Sequence, residues 1–160
     1  MKIREKIENK KIKICLAASA GGHLEQLLTL EESWRDYEAF YISTKSIISK
    51  YLQRYGPTYI IEECNRQHPF KVFCVLLQSL RIVLKQRPDV VISTGAAPGF
   101  LVCIIAKIFG AHVIWIDSIA NVDQLSLSGR LIRPFSDLFL TQWPDLVAKY
   151  KNIEYIGAVI

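Results

Sequence analysis

VVISTGAAPG (Val90–Gly99) is an apolar run that stops at a glycine and resumes as a helix-forming segment. Val90–Ile92 reads as the end of a buried strand and Ser93-Thr94-Gly95 as a tight turn. Pro98 suits the first turn of a helix, where an amide hydrogen has no intrahelical partner anyway. IKICLAASAGGH (Ile12–His23) repeats the plan: a strand-like run to Ala18, then Ser19-Ala20-Gly21-Gly22-His23 opening a helix. Such turns present bare backbone N–H groups at a helix N-terminus, where the peptide dipoles favour an anion. Ligands of open α/β sheets sit beyond the C-terminal ends of the strands, so both turns should border one cleft. Two anion-seeking turns in one cleft suggest a ligand that carries a diphosphate.

Outward from these turns, apolar runs alternate with helical patterns. Strands are expected at 11–18, 38–43, 58–63, 89–93, 112–117, 138–142 and 153–158. Helices are expected near 22–35, 45–55, 69–86, 98–109, 127–136 and 144–150, with Gly56-Pro57, Pro88, Gly110 and Pro144 as punctuation. Repeated β-α units with short connections predict an α/β fold: a Rossmann-like parallel sheet with helices on both faces. At 160 residues and 51% hydrophobic, the chain can bury a substantial core. The expected organisation is a basic arm at 1–10 and one domain over 11–160.

The net charge of +5 is uneven, because residues 1–13 hold six basic side chains against Glu5 and Glu8. A nearly neutral body with a basic arm argues against a nucleic-acid groove. The arm is either a solvated terminus or a contact for anionic lipid. Cys15, Cys64, Cys74 and Cys103 form no CxxC pair and sit in apolar stretches. They read as buried hydrophobes in a reducing compartment, and neither a metal nor a disulfide is expected.

The first residues lack the apolar segment of a signal peptide, and Val72–Leu84 is shorter than the roughly 20 residues that span a bilayer. Any membrane contact should therefore be peripheral. The 69–86 helix carries more apolar surface than one buried face needs. Its excess is covered by a neighbour, or it meets lipid through Phe70 and Phe73 while Lys71, Arg81 and Lys85 reach headgroups.

Several side chains around the cleft can do chemistry. Gly21 and Gly22 let the backbone approach a ligand, and Ser19 offers a hydroxyl. Thr94, Gly95 and Ala96 play the same part in the second turn. His23, in the first helical turn, is a capping residue or a general base, since imidazole accepts protons near neutral pH. Asp117, ending the strand from His112, can accept a proton or bind a sugar hydroxyl. Asn121 and Ser126 are polar and close by in sequence, although Ser126 can also cap the next helix. Neither the GxGxxG fingerprint nor a Walker loop is present.

Three ordered blocks carry a resemblance: ICLAASAGGHLEQLLTL (14–30), VVISTGAAPGFLVCIIAKIFG (90–110) and IWIDSIANVDQLSLSGRLIRPFSDLFLTQWPDL (114–146). LSLSGRL at 125–131, followed by Gln142-Trp143-Pro144, is the most specific part. The chain resembles the acceptor-side subunits of split, inverting GT-B glycosyltransferases. These comprise the bacterial PssD-like capsule and exopolysaccharide proteins and the membrane-anchor subunit of the eukaryotic dolichol-linked N-acetylglucosaminyltransferase. The resemblance covers nearly everything after the first ten residues.

It implies the N-terminal, acceptor-binding half of a GT-B fold. It also implies a separate donor-binding subunit, a polyprenyl-diphosphate-linked sugar as acceptor, and a UDP-sugar bound mainly by the partner, with no cofactor and no metal. The implied place is cytoplasmic, peripheral on the inner face of the cell membrane. In this reading His23 and Asp117 are catalytic. Ser19, Gly21, Gly22, Thr94, Gly95 and Ala96 hold the acceptor diphosphate, and Asn121 and Ser126 line the sugar cleft. Ala20 stands where relatives commonly have Ser or Gly, and Asp117 where they usually have Glu. A non-catalytic membrane recruiter that activates a separate transferase is the alternative, and a stand-alone nucleotide-binding protein is a third reading.

Overall fold

The computed structural model describes residues 11–65 and 67–159. The expected arm at 1–10 lies outside them. The chain runs β1 (Lys13–Ala18), α1 (Gly22–Thr29), a 3-10 turn (Glu31–Trp34), β2 (Glu38–Ser43), α2 (Ser46–Leu52) and β3 (Thr58–Ile60). It continues through α3 (Pro69–Gln86), β4 (Val90–Gly95), α4 (Ala96–Ile108), β5 (His112–Ile116), α5 (Leu127–Ile132) and a second 3-10 turn (Arg133–Phe135). It ends with β6 (Leu138–Thr141), α6 (Pro144–Lys149) and β7 (Glu154–Tyr155). The seven strands form one sheet in the order β3-β2-β1-β4-β5-β6-β7, every neighbouring pair parallel. The order reverses between β1 and β4, and that switch point places both glycine turns side by side.

The elements follow from local chemistry. Pro69 starts α3 where no donor is lost, and the helix stops at Arg87, left-handed at φ 47°, before Pro88. The expected 22–35 helix breaks because Leu30 N–H donates to the Leu27 carbonyl and Ser33 N–H to Leu30, tightening the chain to 3-10. The expected 58–63 strand ends at Ile60, since Gln78 Oε1 captures the Glu62 N–H at 2.9 Å and turns the chain from the sheet. At the other edge only Glu154–Tyr155 pair. Beyond them Gly157 (φ 85°) redirects the backbone and Gln142 Oε1 accepts the Val159 N–H.

The sheet is covered unequally. On one face Val75 and Val83 of α3, Val102 and Ala106 of α4, Ile132 of α5 and Leu146 of α6 pack on Cys15, Phe40, Val91, Val113, Trp115 and Phe139. Each fully buried side chain of this size contributes about 1.5–3 kcal/mol over exposure. On the other face Leu24, Leu27, Trp34 and Leu52 cover Ile14, Leu16 and Tyr41. That layer thins over β5 and β6, leaving an apolar groove of about 430 Å³ floored by Ile92, Ile114, Leu138 and Leu140. Parallel sheets are normally covered on both faces.

Candidate functional site

The two turns interlock at the C-terminal ends of β1 and β4. Pairing of Ala17 with Ser93 and of Ala18 with Gly95 leaves Thr94 as the extra residue of a bulge. The bulge turns Thr94 toward α1. Its hydroxyl donates to the His23 carbonyl at 2.5 Å, and its own carbonyl lies 2.9 Å from His23 Nδ1. A carbonyl only accepts, so Nδ1 carries the proton and Nε2 presents the lone pair. The ring lies against Gly95, where an added Cβ would stand 2.7 Å from His23 Cε1. Gly95 at φ 135° is thus required by its backbone and by its neighbour. Ala96 follows at φ 66°, a left-handed conformation that strains a residue with a Cβ.

The first turn is the open one. Gly21 (φ 113°) and Gly22 are exposed, with nothing within 4 Å of an added Cβ. Ala20 N–H is committed to Thr44 Oγ1 at 3.0 Å, which pins the turn to the end of β2. The first hydrogen bond onto Gly21 comes from Glu25 N–H, so the amides of Gly22, His23 and Leu24 head the helix without intrahelical acceptors. Ser19 is buried beneath them. Among the described residues no three His, Cys, Asp or Glu side chains gather to hold a metal. The binding capacity of this edge is main-chain N–H and the His23 Nε2.

Asp117 and Ser126 are drawn into the protein. Asp117 is 2% exposed, and its Oδ1 accepts from Ser126 Oγ at 2.6 Å and Trp115 Nε1 at 3.1 Å, while Oδ2 accepts from the Ser126 N–H at 2.9 Å. Ser126 Oγ also accepts the Gly129 N–H and caps α5. The carboxylate expected to take a substrate proton is committed to closing the 117–126 loop, and the Ser126 hydroxyl expected in the sugar cleft is committed with it. Thr94 is redirected likewise, its hydroxyl spent on His23. Asn121 is half-buried in a turn closed on Ser118. Gly99 serves packing: a Cβ there would collide with Ser93 Oγ, which accepts the Gly95 N–H.

The sequence reading missed Gln142 and Trp143 as organisers. Gln142 Nε2 donates to the Asp117 carbonyl at 3.0 Å, and Trp143 Nε1 to the Ile119 carbonyl at 2.7 Å. The Gln142-Trp143-Pro144 run, noted only as a motif, was their signal. Below the turns, burial pushes the Cys103 thiol up to about 12, with a Ser93 hydrogen bond pulling the other way. It is no nucleophile.

Helix α3 has three sectors. Val75, Ser79 and Val83 face the core. Phe70 (78% exposed), Phe73 (56%), Leu77 and Leu84 face outward, and Lys71, Arg81 and Lys85 lie exposed between the two. No described part of the chain covers the outward apolar sector. None of the described helices is long and apolar enough to cross a membrane.

A family described as "Oligosaccharide biosynthesis protein Alg14 like" matches residues 59–159. The second turn and the 117–126 loop lie within that match, and the Ile14–Leu30 block lies outside it. The chain is 41% identical over 99 residues to the UDP-N-acetylglucosamine transferase subunit alg14 of Schizosaccharomyces pombe, covering 57% of this chain and 47% of that protein. It is 33% identical over 97 residues to the mouse (Mus musculus) subunit ALG14, covering 57% and 45%. The chain spans about half the length of the curated relatives it matches.

Among solved structures, Acinetobacter baumannii MurG superposes with a TM-score of 0.76 at 14% identity, over 92% of this chain and 46% of that one. A UDP-N-acetylglucosamine 2-epimerase from Rickettsia bellii gives 0.70 at 15% identity, over 93% and 45%. The calicheamicin glycosyltransferase CalG4 gives 0.65 at 11%, over 92% and 53%. These likenesses bear out the Rossmann-like α/β fold.

Proposed function

Because this chain belongs to the Alg14-like family of oligosaccharide biosynthesis proteins, we propose that it is the acceptor-binding half of a two-chain, inverting glycosyltransferase. The partner binds a UDP-sugar. This chain presents a polyprenyl-diphosphate-linked saccharide at the cytoplasmic membrane face, for capsule or exopolysaccharide synthesis. The observation that carries the reading is the His23–Thr94 clasp, which fixes the imidazole with Nε2 as its acceptor beside the open amides of α1. The acceptor diphosphate sits on the amides of Gly22, His23 and Leu24. His23 Nε2 takes the proton of the acceptor hydroxyl as its oxygen bonds to the anomeric carbon, and the bond to UDP breaks with its electron pair leaving on the diphosphate. Asp117 is a positioning residue that holds the loop over this edge.

The two-chain part of the reading is supported by the relatives, which are named as subunits of a UDP-N-acetylglucosamine transferase. The membrane part is supported by the outward sector of α3, four large apolar side chains bordered by three cations and no acid. The test is reconstitution with the donor-binding partner and assay of a panel of UDP-sugars against polyprenyl-diphosphate glycans. Transfer that falls about 10²-fold in His23→Ala supports the reading. A pair that ignores such acceptors overturns it. One observation favours the recruiter alternative: Asp117 and Ser126 are both committed internally, leaving His23 as the remaining proton acceptor. Full activity of the pair with His23→Ala selects the recruiter.

A further inference from the structure

The strand N-termini, at the opposite end of the sheet from the turns, open on a cavity of about 820 Å³ that the proposed chemistry does not use. The last turn of α3 (Val83, Leu84), Arg87, the end of α4 (Phe109), Ile12 and His112 line it. Arg87 is the telling residue. It holds the left-handed position just past a helix, φ 47°, where glycine is the unstrained occupant. Its side chain makes no hydrogen bond or ion pair with another described residue. A strained backbone carrying an uncommitted guanidinium at a cavity mouth is the arrangement of an anion seat. The acid beside it, Asp89, also lines the cavity, and its Oδ2 accepts the Lys13 N–H at 2.9 Å.

The rim is apolar. Leu84 (44% exposed), Ile12 (46%), Phe109 (55%) and the adjacent Ile108 (73%) all face solvent. Leu84 belongs both to this rim and to the outward sector of α3, so cavity and stripe are one continuous surface. A free phosphate ester would use the guanidinium and leave that rim in water. A phospholipid uses both.

We propose that this cavity seats the phosphate headgroup of an anionic phospholipid, with Arg87 on the phosphate and the first acyl carbons against Leu84 and Phe109. The proposal rests on the reading of α3 as the membrane-facing helix, and adds to it a specific lipid site at the helix's C-terminal end. His112 flanks the headgroup. His112 Nδ1 also lies 3.6 Å from Asp137 Oδ1, and the Lys107 ammonium is held by that same carboxylate. Of the two basic side chains that line the cavity, Arg87 and His112, Arg87 is the one without a side-chain partner among the described residues.

The experiment is flotation of the full chain with phosphatidylcholine vesicles, with and without about a third phosphatidylglycerol. Arg87→Gly is the informative variant, because glycine suits the backbone there. Its melting temperature should hold or rise while its affinity for the phosphatidylglycerol vesicles falls roughly fivefold. Arg87→Lys should recover part of the loss. Phe73→Asp should weaken binding to both vesicle types. If Arg87→Gly floats like wild type while Phe73→Asp does not, the headgroup site is refuted and the membrane reading stands. If wild type floats with neither vesicle, both are refuted. Competition by glycerol phosphate as strong as by short-chain phosphatidylglycerol would also overturn the lipid assignment.

Discussion

The β1–α1 and β4–α4 turns share a design on paper, since each leaves a parallel strand, holds a glycine with φ above 110° and opens a helix. In space they differ. Around Gly21 and Gly22 there is open volume, whereas Gly95 lies under the His23 ring and Gly99 against Ser93. Glycine in the first turn leaves main chain bare for a ligand. Glycine in the second lets the protein close on itself and so fix the histidine that serves the first. One turn is a surface and the other is its support. Substitutions should separate into those that change turnover with the fold intact and those that change the fold.

The largest expected effect is on turnover. His23→Ala, assayed with the partner, should lower kcat by about 10²-fold or more. Its cost in stability should be only about 1 kcal/mol, the worth of the imidazole's hydrogen bond to the Thr94 carbonyl. A loss of both in equal measure would make His23 a structural residue and erase the contrast between the turns. Gly99→Ala should do the reverse. The new methyl collides with Ser93 Oγ and comes within 3.3 Å of the Ala17 carbonyl, so urea unfolding should show a loss of about 1–3 kcal/mol. Ser93→Ala in the same chain should recover part of that loss, because the two substitutions share one contact. Wild-type stability in Gly99→Ala alone would mean that α4 does not approach β4 as closely as described here.

The contrast between the turns also marks what the sequence could reveal. Strand–turn–helix order, the parallel sheet and the bounds of α3 follow from apolar spacing, Pro69 and Pro88, all local signals. The first turn was legible for the same reason: it is exposed and little else touches it. The second was misjudged in detail because its geometry is tertiary. The bulge at Thr94 exists only through pairing with β1. The fate of Asp117 depends on Ser126, nine residues away, which occupies its carboxylate, and on Gln142, twenty-five away, which holds its backbone carbonyl. A carboxylate at a strand end reads as a reactive group until the donors that consume it are seen. Gly129 read as part of a motif, yet a Cβ there would stand 2.7 Å from Asp117 Oδ1. The early end of β3 likewise depended on Gln78, an α3 side chain sixteen residues from the amide it captures.

Thr94→Val sharpens the comparison at intermediate scale. Valine keeps the shape and the Thr94 carbonyl, so Nδ1 keeps its acceptor and Nε2 its lone pair. Only the hydroxyl donated to the His23 carbonyl is lost. Stability should fall by about 0.5–1.5 kcal/mol. Turnover should fall far less than in His23→Ala, because the tautomer is set by the carbonyl and not by the hydroxyl. A kcat as low as that of His23→Ala would instead give the Thr94 hydroxyl a direct part in the reaction.

Gly22→Ala is the smallest change and the most pointed. Gly22 begins α1 with a backbone that alanine adopts, and an added Cβ meets nothing within 4 Å. Stability should stay within about 0.5 kcal/mol of wild type. If the acceptor diphosphate rests on the α1 amides, the methyl holds it away from them. The KM for the lipid-linked acceptor should then rise severalfold while kcat and the KM for the UDP-sugar stay put. That split follows from what the methyl touches: it crowds the bound anion and leaves the imidazole on its Thr94 acceptor, so it weakens binding without removing the proton acceptor. Unchanged acceptor KM would leave the open turn without a ligand, and the bare amides of α1 would be solvated like those of any exposed helix start.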